Sequence, residues 1–173
     1  RDLPDGTPFE LEQPSAPTSL DRQYDELWNK SMNAVGIKIR FKKDKWPELL
    51  KQSRAGKLQM KGSAWSADYP DGDNFLQLLY GPNSGMANDA RFDLPAFNEI
   101  YRKARALPDS PERTKLYQEM TKYVAVYAPW KLGIHPIENV VVHPWVRNYK
   151  RNPNILAPWK YLDIDAAQRQ ARH

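Results

Sequence analysis

The chain has no cysteine among its 173 residues, which excludes disulfides, thiolate zinc sites, iron–sulfur ligation and cysteine nucleophiles. It has no long apolar run either, and a membrane-spanning helix needs about 20 consecutive apolar residues. Histidine is scarce. His135, His143 and His173 fall in extended or terminal segments, none with a partner at metal-ligand or triad spacing. No Gly-x-Ser-x-Gly and no Gly-rich phosphate loop followed by Lys-Ser/Thr occurs. The sequence therefore nominates no catalytic residue, no metal centre and no cofactor.

Positive charge is present but uneven. The net charge is +5, yet Lys38 to Lys61 alone holds nine Lys/Arg against Asp44 and Glu48. Such a segment raises the question of nucleic acid. These charges alternate with Ile37, Ile39 and Phe41 and then occupy the outer face of a helical stretch, as solvated residues do. They also lack interleaved exposed aromatics for base stacking, so no nucleic-acid role is expected.

Phe9 to Gln13 alternates apolar and polar residues and predicts a strand. After the break at Pro14 to Pro17, Thr18 or Ser19 caps a helix bearing Leu20, Tyr24, Leu27 and Trp28 on one stripe, with Gly36 as its stop. Ile37 to Phe41 is a second alternating strand. A short helix with Trp46, Leu49, Leu50 and Ser53 on one face follows, ended by Gly56. Leu58 to Ala64 predicts a third strand, which gives a β-α-β-α-β order with parallel pairing. Two helices come later. Asp93 is the expected N-cap of the first, with Pro95 in its first turn and Leu94, Phe97, Ile100, Tyr101, Ala104 and Leu107 on its stripe. Ser110 precedes the second, and the short Pro108-Asp109 link makes the two antiparallel neighbours. Beyond Pro129 the chain reads as extended, irregular pieces.

The most informative stretch runs from Ala64 to Leu76, Ala-Trp-Ser-Ala-Asp-Tyr-Pro-Asp-Gly-Asp-Asn-Phe-Leu. It lies where the third strand is expected to end, and ligands of open α/β sheets sit at the carboxyl ends of strands. Trp65 followed three residues later by Asp68 can pair an aromatic wall with an anionic partner for an amine. From the residues alone, Trp65 as core and Asp68 as a turn former is the stronger reading. Asp68, Asp71 and Asp73 are crowded enough to suggest calcium. Counting from Asp71, however, the twelfth position of an EF-hand loop is Pro82 rather than Glu, so a turn with Asx hydrogen bonds is expected.

This stretch resembles the Trp-x-x-Asp-Tyr-x-Asp-x-x-Asn-Phe-Leu signature of extracytoplasmic solute-binding proteins of family 5, the oligopeptide-, dipeptide- and nickel-binding components of ABC importers. Phe92-Asp93 and the helix to Ala106, Glu112-Arg113 before Leu116-Tyr117, and Tyr127-Ala128-Pro129-Trp130 resemble further family segments. The resemblance implies a non-enzymatic receptor of two lobes, of the type II, Venus-flytrap-like kind. It would close on a small solute or short peptide in the periplasm and pass it to an inner-membrane ABC permease. Residues 1–142 would be the C-terminal α/β lobe, and residues 143–173, with Val146, Tyr149, Ile155, Leu156, Trp159 and Tyr161, a segment returning to a separate N-terminal lobe. Arg1 at the start in place of Met fits a processed chain. The carboxylate matching Asp68 would hold the ligand's α-ammonium, with Trp65 and Tyr69 beside the ligand. Gly72 stands where the family often has proline, which is expected to loosen the turn. Gly62 stands where some oligopeptide binders carry arginine, which leaves a sugar, opine, haem or metal-chelate ligand as an alternative.

Overall fold

The computed structural model describes residues 2–151 and 157–170; His173, Ile155 and Leu156 lie outside the described residues. Strand β1 (Glu10–Ser15) pairs in parallel with β2 (Lys38–Lys43), in register from Glu10 opposite Lys38 to Ser15 opposite Lys43. Helix α1 (Ser19–Ala34) makes the crossover. Thr18 caps it by accepting a hydrogen bond from the Asp21 N–H at 3.1 Å, and Gly36 turns the chain out at φ +74°. β1 runs through Pro14, beyond the expected break. A proline is tolerated there because both strands of a two-stranded sheet are edges.

The crossover is bolted by polar contacts. Asp25, the buried residue of α1, accepts hydrogen bonds from Ser15 Oγ (2.9 Å) at the end of β1 and from Lys43 Nζ at the end of β2. The expected apolar stripe of α1 is largely uncovered, with Leu20 and Leu27 each 60% exposed. In α2 (Trp46–Arg54), Leu49 and Ser53 face inward but Trp46 does not.

The third strand does not form. Residues 57–67 run without a ladder partner, and the Gln59 side chain reaches β1, its Oε1 accepting from the Glu12 N–H at 2.7 Å. Alternation marks an extended segment, but a strand also requires a neighbour whose backbone is free to pair.

The main core lies in the second half. Helices α4 (Pro95–Ala106) and α5 (Pro111–Tyr127) pack around Leu79, Phe97, Ile100, Tyr101, Ala104 and Met120. Phe97, Leu79 and Met120 are fully buried, each contributing about 1.5–3 kcal/mol of transfer free energy. Ser110 caps α5 by accepting from the Arg113 N–H at 3.2 Å. Asp93 does not cap α4; Leu94 occupies that position. The Asp93 carboxylate instead accepts from Asn98 Nδ2 at 2.6 Å, while Asn98 Oδ1 accepts from the buried Gly81 N–H at 2.9 Å. That bond to the loop holds Asp93 away from the helix end. A Cβ on Gly81 would fall 2.0 Å from Asp93 Oδ1, so the close approach requires glycine.

Beyond Ala128, in the left-handed region at φ 45°, residues 131–142 are exposed and form neither helix nor strand. A small antiparallel pair, β3 (Val146–Arg147) with β4 (Asp163–Ile164), precedes the short α6 (Ala166–Gln170).

Candidate ligand-binding site

Between residues 57–67 and the helix pair, the chain makes a tight acidic turn and enters the one-turn helix α3 (Asp73–Leu76). The Asp73 N–H donates to Asp71 Oδ1 at 2.8 Å, an Asx turn of the expected kind. Asp71 is also held from α5: Tyr117 OH donates to its Oδ1 at 2.9 Å, and Arg113 Nη1 pairs with its Oδ2. Burial alone would raise the Asp71 carboxyl. The Asp73 N–H, Arg113 and Tyr117 outweigh it and hold the group below the ordinary carboxylate range. Burial, then the Asp71 carboxylate, pushes the Tyr117 hydroxyl up. With Asp71 committed to these partners, the acidic cluster is a clamp. Among the described residues, no three His, Asp or Glu side chains converge as a metal would need.

The three predicted binding residues stand around this turn. Trp65 is 45% exposed and Tyr69 41% exposed, so neither ring is core. Asp68 is exposed beside them. Trp65 and Asp68 are organised by Asn74, which is fully buried. Its Oδ1 accepts from Trp65 Nε1 at 2.7 Å and from the Asp68 N–H at 3.2 Å, and its Nδ2 donates to Asp68 Oδ2 at 3.2 Å. Tyr69 OH donates to Asp73 Oδ2 at 2.8 Å, and that bond raises the phenol's affinity for its proton. The structure thus brings Trp65 and Asp68 together through one amide and ties Tyr69 to the same turn through a separate carboxylate.

The sequence pattern contains Asn74 and Arg113 without marking what they do; an Asn directly after Asp-Gly-Asp, and an Arg right after the Pro-Glu that opens a helix, are its signals for them.

An indole and a carboxylate on one exposed face, fixed by a buried amide, can stack on an apolar group and pair with a cation. No family model matches the chain. Di/tripeptide-binding protein 2 of Pseudomonas aeruginosa is 30% identical over 153 residues, covering 87% of this chain and 29% of that protein. Heme-binding protein A of Haemophilus influenzae is 32% identical over 120 residues, covering 69% of the chain and 22% of that protein. The chain is homologous to the family 5 solute-binding proteins. Among solved structures, the Escherichia coli murein tripeptide binding protein MppA superposes with a TM-score of 0.73 over 94% of this chain and 32% of its own, at 20% identity, a likeness of fold. The chain therefore spans less than a third of the length of these family 5 relatives, and its α/β character is that of one part of a two-lobed periplasmic binding protein. These relatives are binding proteins rather than enzymes.

Proposed function

We propose that this chain acts without catalysis as the C-terminal α/β lobe of a periplasmic receptor that binds short peptides for import through an inner-membrane ABC permease. Residues 1–142 form the lobe, and residues 143–173 return to an N-terminal lobe. The exposed Trp159, Tyr161 and Ile164 support that return, since the segment has no long apolar face of its own.

The observation that carries the reading is the Asp68 carboxylate held beside the open ring of Trp65. Closure of a second lobe over this face excludes water, and a carboxylate pairs more strongly with a ligand's α-ammonium at the lower effective dielectric. Trp65 and Tyr69 supply the aromatic wall.

Asp68→Asn in the full-length protein that carries this chain tests it. The isosteric amide keeps the shape, so any loss reports charge. Truncating one partner of a buried pair costs about 2–5 kcal/mol, or about 30- to several-thousand-fold in affinity. Calorimetry with a peptide and its N-acetylated form decides: equal binding of both by the wild type means that Asp68 is not an amine site. The similarity to Heme-binding protein A gives a second reading, a haem ligand. Haem titration with binding indifferent to Asp68→Asn would favour it.

A further inference from the structure

We propose that Asn74 is the positioning residue that sets the Asp68 carboxylate against the Trp65 ring before ligand arrives, and that this preset pair selects ligands with a free α-ammonium. The inference rests on the peptide-receptor reading above. Asn74 touches no ligand itself, because its side chain is wholly buried behind the two groups it holds.

The amide offers two acceptor sites and two donors, and three of these four are used within the turn. Its orientation is fixed by chemistry. Reversed, the amide would point N–H groups at the Trp65 and Asp68 N–H donors and its oxygen at a carboxylate. The side chains nearest it in size or shape do not do the same. Aspartate keeps the acceptor but loses the donor and adds a negative charge beside Asp68. Serine is too short to span both partners, and leucine keeps the volume while making no bond.

The backbone holds the amide in turn. The Asn74 N–H donates to the Asp71 carbonyl at 3.2 Å, and Asp71 is clamped by Arg113 and Tyr117. A ring and a carboxylate already ordered cost a ligand less to engage, since their rotamer freedom is lost on folding and not on binding. One amide bonding both groups also fixes their mutual offset, which makes the pair a gauge for a cation next to an apolar group.

The test uses the full-length protein that carries this chain, as wild type, Asn74→Asp and Asn74→Leu. Exchange of the Trp65 indole N–H is followed by NMR, its peak identified by its loss in Trp65→Phe. Affinities for Ala-Ala-Ala and N-acetyl-Ala-Ala-Ala are measured by calorimetry. We expect a protected indole and preference for the free-amine peptide in the wild type. Asn74→Asp keeps the indole protected but weakens the free-amine peptide about 10- to 100-fold, the range for loss of one hydrogen bond to a charged group, with the acetylated peptide unchanged. Asn74→Leu loses both properties; if it fails to fold, Asn74→Asp carries the test alone. A wild-type indole exchanging as fast as an exposed one, or wild-type peptide preference in Asn74→Asp, overturns the proposal. If the wild type binds both peptides alike, Asp68's amine role and the selection fall together, while the indole still decides whether Asn74 holds the ring.

Discussion

Gly72 and Tyr117 meet across the candidate site's turn: a Cβ on Gly72 would stand 3.1 Å from Tyr117 Cδ2. The Gly72 backbone, at φ −62° and ψ −23°, is open to any residue, so space and not conformation favours glycine there. Gly→Ala at such a backbone ordinarily stabilises by about 0.4–1 kcal/mol. Here the ring cannot easily yield, because its hydroxyl is bonded to Asp71 and the Arg113 guanidinium lies 5.0 Å over its face. Gly72→Ala is expected to destabilise by about 1–3 kcal/mol, and Tyr117→Phe, which frees the ring, to reduce that cost. Urea unfolding of the two single variants and the double variant measures the coupling; strictly additive effects would refute the clamp.

Acid should loosen the same turn. Asp71 and Asp89 titrate below their ordinary 3.8 in the folded chain, Asp71 through the partners above and Asp89 because Lys61 and Ser53 outweigh its burial. A depressed folded pKa gives stability that is present above the unfolded value and lost as pH falls through the folded one. Stability to heat should therefore fall progressively below about pH 4, and Asp71→Asn should flatten part of that slope. An unchanged slope in the variant would sink the assignment.

Arg113 donates through Nε to the Ala104 carbonyl at 3.1 Å as well as pairing with Asp71. Arg113→Met leaves a partly buried carboxylate short of its cation, at an expected cost of about 1–3 kcal/mol. Arg113→Lys should recover only part of it, since one ammonium cannot reproduce a guanidinium's spread of donors. Full rescue by lysine in chemical denaturation would show that charge alone matters.

Asn98→Asp keeps an acceptor for the Gly81 N–H but sets a second carboxylate against Asp93. The variant should be less stable than the wild type at neutral pH, with the difference narrowing as pH falls and one carboxyl takes a proton. A difference independent of pH would mean that Asp93 is not the group Asn98 serves.

The basic segment should bind no nucleic acid specifically. Arg40 is spent on Glu12 (2.5 Å), Lys43 on Asp25 and Lys61 on Asp89 (2.6 Å). Anisotropy with labelled oligonucleotides at physiological salt should give nothing tighter than the roughly 10⁻⁴–10⁻⁶ M of non-specific contacts. Sub-micromolar binding would contradict the receptor reading.

Local signals explain what the sequence made legible. Thr18, Gly36, Ser110 and Gly56 mark ends that depend on neighbours a few residues away, and α4 buries Phe97, Ile100, Tyr101 and Ala104 of the stripe its period nominates. The failures are non-local. Leu58 to Ala64 alternates like a strand, but pairing is decided by another segment's backbone. Asp93 has a cap's chemistry, yet Asn98 and Gly81 compete for it with a bond that reaches across the loop. Trp65 and Asp68 could be nominated, but nothing in their spacing shows that a buried Asn74 serves both.

The two roles of Arg113 set how the molecule opens. One guanidinium joins the end of α4, the start of α5 and the acidic turn, so displacing it would release contacts of all three together. The candidate site is therefore expected to open with the helix pair and not with β1 and β2. Its opening is then expected to follow that of the buried Phe97–Met120 core, so that the turn's amides would exchange more slowly than their surface position alone implies.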